Sequence, residues 1–209
     1  MPKLKIQGGN TLSGTIEISG AKNSAVALLP AALLCKTHSK ILKVPKIRDI
    51  EYLLKIIEVL NCTYEIKENE IEINTTNLKN APIPENLSEQ MRASYYFMGT
   101  LLARFKHVEI SFPGGCNIGA RPIDQHIKGF EALGAHVEIK KNKYTITAEK
   151  LIGTRIYLDF ASVGATINLM LASSCAEGET IIENAAREPE IVNVASFLIS
   201  MGVKITGAG

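Results

Sequence analysis

The stretch DQHIKGFEALGAHVEIKKNKYTI, residues 124–146, changes period halfway along its length. Its first part has apolar positions at helical spacing and closes on Gly134, where a left-handed cap is wanted. Its second part alternates as a strand does, turns at Lys140-Lys141-Asn142-Lys143, and alternates again. Two further stretches read the same way: IEYLLKIIEVLNCTYEIKENEIEI (50–73) and IVNVASFLISMGVKIT (191–206). In the first, Leu53, Leu54, Ile57 and Leu60 carry the helical spacing, and Tyr64-Glu65-Ile66 and Ile71-Glu72-Ile73 carry the hairpin. Placing Leu60, Leu133 and Met201 in register gives offsets of 73 and 68 residues, with Gly202 closing the third helix. Helix then hairpin, three times, is internal repetition.

Each copy is preceded by a second shared piece: SGAKNSAVALLPAALL (19–34), LSEQMRASYYFMGTLLARF (87–105) and FASVGATINLMLASSC (160–175). All three are apolar on most faces and rich in Ala, Gly and Ser, the pattern of a fully buried helix. Pro30 is expected to kink the first. Strands are expected after each, at Lys40–Val44, His107–Phe112 and Glu179–Glu183. The unit is therefore strand, buried helix, strand, amphipathic helix, hairpin. Three such βαβαββ-like units, with helices gathered inside and sheets outside, give one α/β domain. The second unit is about five residues longer than the first, and the excess falls in Pro113–Pro122 (an insertion into a regular repeat is often functional). The third copy stops at VKITGAG without a returning strand, which leads us to expect that the chain is part of something longer.

Composition narrows the function classes. The chain has 209 residues, is 46% hydrophobic and 21% charged, and carries a net charge of +2, giving no argument for a nucleic-acid or membrane partner. No apolar run is long enough to span a bilayer, and Met-Pro-Lys-Leu-Lys is not followed by a signal-peptide core. Cys35, Cys62, Cys116 and Cys175 are far apart, which suits reduced cytoplasmic thiols, and no cofactor or metal is called for. Cys35, Cys62 and Cys175 are expected in the core; His107, His126 and His136 on strand or helix surfaces.

The remaining cysteine is different. Cys116 sits in SFPGGCNIGARP (111–122), among Pro113, Gly114 and Gly115, outside any apolar run. Buried helices that begin in small residues present free N–H groups and a positive dipole end to anions. Lys22-Asn23 opens the first such helix, Arg92 lies in the first turns of the second, and Ser162-Val163-Gly164 opens the third. Arg121 is expected to open the next amphipathic helix, with Pro122 at its first position and Asp124 close behind. If the repeats share an axis, Lys22, Arg92 and Arg121 form one cationic rim suited to a phosphorylated small molecule, and Cys116 would be a thiol of lowered pKa beside it. The plainer reading of each is a solvated surface cation and an incidental thiol.

Taken together, GAKNSA, PGGCNIGARPID, SVGAT and IIENAAREPEIVNVASFLISMG resemble the UDP-N-acetylglucosamine 1-carboxyvinyltransferase family of enolpyruvyl transferases, over essentially the whole chain. The resemblance implies one lobe of a two-lobed inside-out α/β barrel. Residues 1–20 would be a segment crossing to a second lobe, and residues 21–209 a first lobe of three units with the last cut short. It implies transfer of enolpyruvyl from phosphoenolpyruvate to the 3-hydroxyl of UDP-N-acetylglucosamine, opening peptidoglycan precursor synthesis in the cytoplasm. It further implies that Lys22, Asn23 and Arg121 contact phosphoenolpyruvate, and that Arg92 contacts the nucleotide sugar. Arg121, Pro122, Ile123, Asp124, Gln125, Ser162, Val163 and Gly164 would also touch the sugar nucleotide, while Cys116 would be the fosfomycin-sensitive proton donor. Phe160 stands where some members have a lysine. The shikimate-pathway relative lacks this use of a loop cysteine. The other alternative is a non-catalytic nucleotide-sugar-binding lobe or truncated paralogue. On the resemblance, the base belongs to the missing lobe, so the chain alone would have negligible turnover.

Overall fold

The computed structural model describes residues 3–112 and 123–209. Three helices are buried on nearly every face. These are α1 (Lys22–Ala32), α4 (Tyr96–Phe105) and α6 (Val163–Ser173), with eight of 11, eight of 10 and nine of 11 residues buried. A side chain on any face of such a helix meets protein, which is why their sequences show no polar stripe. The amphipathic helices α2 (Arg48–Val59), α5 (Asp124–Ala132) and α7 (Pro189–Ser200) pack around them through one face. All three amphipathic helices end alike. Asn61, Gly134 and Gly202 take φ of +61°, +94° and +97°. The N–H of the next residue then reaches back to Ile57, Phe130 and Leu198 at 3.0–3.1 Å. The repeat seen in the sequence is thus a repeat of hydrogen bonds.

Two three-stranded antiparallel sheets share one topology. Strands β1 (His38–Ile41), β2 (Thr63–Lys67) and β3 (Glu70–Asn74) lie in the order β1-β3-β2. Strands β4 (His107–Ser111), β5 (His136–Lys140) and β6 (Lys143–Thr147) lie in the order β4-β6-β5. In each, the last strand is central: Asn74 pairs with both His38 and Thr63, and Thr147 with both His107 and His136. In the third unit β7 (Arg155–Tyr157) pairs in parallel with β8 (Ile181–Glu183).

Several expectations need correction. The first and third strands are shorter than expected, His38–Ile41 and Ile181–Glu183. The segment 87–105 is not one helix: a short helix α3 (Glu85–Ser88) and a 3₁₀ turn (Arg92–Tyr95) precede α4, because Met91 is extended and Ser94 Oγ donates to the Ser88 and Met91 carbonyls. The strand expected before each buried helix is β7 in the third unit and a single parallel bridge, Ile83 to Ile110, in the second. Residues 3–20 form no strand. Helix α5 starts at Asp124, later than expected. Helix α1 continues past Pro30, whose carbonyl accepts from Thr100 Oγ1 at 3.1 Å. Of the three cysteines expected in the core only Cys62 is buried; Cys35 and Cys175 lie just beyond the ends of α1 and α6, where the helix no longer screens them.

Helices α4 and α6 approach closely inside the core. A Cβ on Gly99 would stand 2.4 Å from the Asn168 carbonyl oxygen, so only glycine lets the two backbones meet. Gly99→Ala is expected to lower the unfolding free energy by about 1–3 kcal/mol, read as a shifted urea midpoint. An unchanged midpoint would mean that the helices separate at no cost.

Candidate active site

The starts of α1, α2 and α7 meet. Lys22, first in α1, places Nζ 2.5 Å from Asp49 in the first turn of α2. Asn23 donates to Glu190 at 3.1 Å and Ser24 to Asn193 at 2.6 Å, tying α1 to the first turn of α7. Ala21, preceding α1, supplies no side-chain cap, so among the described residues no side chain occupies the first-turn N–H groups, which carry the positive end of the helix dipole.

The starts of α4, α5 and α6 meet around Tyr95. Its ring lies edge-on to Tyr96 and His126 at 4.8 and 4.9 Å, with the Arg92 guanidinium 5.5 Å from its centre. A Cβ on Gly164 would stand 2.5 Å from the Tyr95 hydroxyl and 3.1 Å from His126 Cε1, which fixes glycine at the start of α6. Asn168 completes the cluster: its amide nitrogen lies 3.0 Å from His126 Nδ1, and its Oδ1 accepts from the Gly99 N–H at 2.8 Å. An amide that donates to Nδ1 sets the His126 proton on Nε2. His126 is therefore buried, not on a surface as the sequence suggested, because Tyr95 and the first turns of α6 cover the face of α5 that carries it. Burial, and to a lesser degree the Arg92 charge, lowers its pKa to about 3. Burial pushes the Tyr96 hydroxyl up, with Tyr95 and Glu190 adding and Arg92 opposing. Glu190 and Arg92 thus both act on Tyr96, which connects this group to the first.

Gln125 is 3% exposed and clamps the chain ahead of α6. Its Nε2 donates to Asp159 Oδ2 at 2.8 Å, and the Asp159 N–H donates to its Oε1 at 2.9 Å. Hydrogen bonds from Lys128, then Gln125, hold the Asp159 carboxyl below its ordinary pKa. Ser162 caps α6, its hydroxyl accepting from the Ala165 N–H at 3.3 Å, and Val163 is the first helical residue. Ile123 is buried at the start of α5 and Asp124 is exposed beside it. Phe160 is half exposed on the same connection. A recess of about 540 Å³, lined by Ala161, Asn184, Ala185, Arg187 and Glu188, opens next to the α6 and α7 starts.

Lys22 and Asn23 therefore lie in one group of helix starts and Arg92, Gln125 and Ser162–Gly164 in a second, the two coupled by the charges of Glu190 and Arg92 acting on Tyr96. Cys116, Arg121 and Pro122 lie outside the described residues. His107 and His136 are on strands, the first 3.4 Å from Glu109 and the second exposed. Sequence reasoning missed Asp49, Tyr95, His126 and Asn168. One signal was available for the last: Asn168 is a lone amide in the otherwise apolar run of α6. Among the described residues no group of three His, Cys, Asp or Glu could hold a metal ion. Such an end, with cations and helix-start N–H groups converging, can hold a phosphate or carboxylate and stabilise charge that shifts between them.

The model of the EPSP synthase (3-phosphoshikimate 1-carboxyvinyltransferase) family matches residues 6–209. UDP-N-acetylglucosamine 1-carboxyvinyltransferase 2 of Staphylococcus epidermidis is 53% identical over 207 residues, 99% of this chain and 49% of its own length. The Staphylococcus aureus protein of the same name is 54% identical over the same span. The chain spans about half the length of the curated relatives it matches. Among solved structures, the enolpyruvyl transferase NikO from Streptomyces tendae has a TM-score of 0.84 at 21% identity, covering 97% of this chain and 48% of that one. EPSP synthase from Acinetobacter baumannii has a TM-score of 0.71 at 19% identity, over 94% and 45%. The fold is thus half of an enolpyruvyl transferase fold.

Proposed function

The chain belongs to the EPSP synthase family, and on that footing we propose that it is one lobe of an enolpyruvyl transferase acting on phosphoenolpyruvate and UDP-N-acetylglucosamine. In this reading, residues 21–209 are three units of an inside-out α/β barrel, and residues 1–20 pack on a second lobe. The sugar 3-hydroxyl adds to C2 of phosphoenolpyruvate while a proton goes to C3, giving a tetrahedral intermediate. Loss of a C3 proton and of phosphate then gives the enolpyruvyl ether. The reaction opens peptidoglycan precursor synthesis and takes place in the cytoplasm.

What supports the reading is the convergence of the helix starts bearing Lys22, Asn23, Arg92 and Gly164. Lys22 and Asn23, with Arg121, hold the phosphate and carboxylate of phosphoenolpyruvate; their charge offsets the negative charge that builds at the reacting carbon. Arg92 and residues Arg121–Gln125 and Ser162–Gly164 hold the nucleotide sugar, Gln125 by fixing the Asp159 loop. Cys116 donates the proton to C3. The second lobe supplies the base, so the 209-residue chain alone turns over negligibly.

Fosfomycin treatment of the protein carrying both lobes, followed by mass spectrometry, tests this. The expected result is one adduct, on Cys116, forming faster when UDP-N-acetylglucosamine is present. Alkylation of the exposed Cys175 with Cys116 untouched would overturn the assignment.

A further inference from the structure

Residues 159–161 lie between β7 and α6, anchored on either side but not along their own length. Leu158, just ahead of them, is fully buried; its N–H donates to the Glu183 carbonyl, and its carbonyl accepts from Asn184 Nδ2 at 2.9 Å. Ser162, just behind them, is fixed as the cap of α6. Between these anchors Asp159, Phe160 and Ala161 are all exposed. Among the described residues the hydrogen bonds of this short connection go to α5 alone.

Those bonds form a latch. Gln125 and Lys128, neighbours on one face of α5, divide the Asp159 carboxylate between them. Gln125 Nε2 reaches Oδ2 at 2.8 Å and Lys128 Nζ reaches Oδ1 at 2.6 Å. A carboxylate only accepts, so the Gln125 amide nitrogen must face it, which turns Oε1 towards the Asp159 N–H at 2.9 Å. Gln125 is buried, so leaving either of its groups unpaired is costly. Lys128 is about half exposed and its pair contributes little by itself. The latch ties the first turn of α5 to the residues leading into α6, 34 positions along the chain.

In the proposed function those two segments, Arg121–Gln125 and Ser162–Gly164, hold the nucleotide sugar from two sides. Lys22 and Asn23, which hold phosphoenolpyruvate, are not touched by the latch. Resting on that reading, we propose that Asp159 is a positioning residue: gripped by Gln125 and Lys128, it sets the distance between the starts of α5 and α6, and with it the affinity for the nucleotide sugar but not for phosphoenolpyruvate. Asp159 acts without touching substrate, since both of its oxygens are engaged by α5. A ligand that bridges the two segments gains from their being set in advance, whereas one held elsewhere does not.

KM for each substrate, kcat and the urea midpoint, measured on the protein carrying both lobes, test this. Asp159→Ala should raise KM for UDP-N-acetylglucosamine on the order of 10-fold and leave KM for phosphoenolpyruvate within about twofold. The urea midpoint should hardly move, because the Asp159 side chain is 56% exposed. Asp159→Asn keeps an oxygen for Gln125 and should recover most of the loss. Gln125→Glu sets carboxylate against carboxylate and should be the weakest binder. Adding Asp159→Asn to it exchanges amide and carboxylate, so the bonds re-form in reverse and KM should return towards the wild-type value. A direct contact of Gln125 with the ligand would not be restored by that exchange. The two Asp159 variants decide the matter even where the buried Gln125→Glu folds poorly. The proposal is overturned if Asp159→Ala leaves KM for the nucleotide sugar unchanged, raises both KM values alike, or lowers the midpoint with turnover following the folded fraction. A well-folded double variant as weak as Gln125→Glu overturns it too. In all these outcomes the wild type still uses both substrates and the enzymatic reading stands; a wild type that binds no UDP-N-acetylglucosamine removes that reading and the positioning role together.

Discussion

Acidification below about pH 6.5 is expected to destabilise the protein by about 1.4 kcal/mol per pH unit through His126 alone. In the folded state His126 is neutral down to about pH 3, because burial and then the Arg92 charge disfavour the imidazolium. In the unfolded chain it titrates near 6.5. Between these values the unfolded state binds a proton that the folded state refuses, so stability falls as the pH falls. The accumulated loss approaches about 4–5 kcal/mol, a large share of the ~5–15 kcal/mol that holds a domain together. Protonation would also turn Nδ1 from acceptor to donor, opposing the Asn168 amide that now donates to it. His126→Asn keeps an acceptor near Nδ1 and removes the titration. Its stability should vary less with pH than the wild type's, by that slope. The Asp159 carboxyl, also held low, contributes in the same direction but cancels in the comparison. Urea midpoints of both proteins measured across this window check the point. Parallel curves would mean that His126 accepts its proton without unfolding.

His126 also marks the limit of what the sequence makes legible. The helix-then-hairpin unit could be read because it is local: period, turn residues and left-handed closures lie within about 25 residues. Its three closures, at Asn61, Gly134 and Gly202, recur in the structure hydrogen bond for hydrogen bond. Burial of His126 is not local. It depends on Asn168, 42 residues away, and on Gly99 and Gly164 admitting α6 and Tyr95 at close range. The break ahead of α4 was hidden similarly, since MRASYY reads as continuous helix, whereas Met91 is extended and Arg92–Tyr95 form a 3₁₀ turn. Cys35 was misplaced because Leu33 and Leu34 continue the apolar run after α1 has ended, and Cys175 because α6 stops at Ser173, two residues short of it. At the candidate site the cations and glycines could be singled out from the sequence. Their carboxylate counterparts could not: Asp49, paired with Lys22, lies 27 residues on in the next helix of the same unit, and Glu190, paired with Asn23, lies in the third unit.

Lys22→Ala separates stability from chemistry most sharply. The Lys22–Asp49 pair is about half exposed on the lysine side and a third on the aspartate side. Exposed pairs of this kind contribute at most about 1 kcal/mol, so Lys22→Ala should leave the urea midpoint nearly unchanged. On the proposed function the same change removes a cation from the charge that develops on phosphoenolpyruvate. In the protein carrying both lobes, phosphate release should therefore fall about 100- to 1,000-fold. Lys22→Arg keeps the charge but spreads it over a planar fork, so recovery should be incomplete. Asp49→Asn makes the argument directional. Asp49 competes with an incoming anion for Lys22, and neutralising it should tighten phosphoenolpyruvate binding several-fold, an effect that added salt diminishes. A purely structural lysine predicts the opposite set: a lowered midpoint for both variants and a turnover that follows the folded fraction. Lys22→Ala with near wild-type turnover would remove Lys22 from the site and, with it, the reason for placing phosphoenolpyruvate at the start of α1.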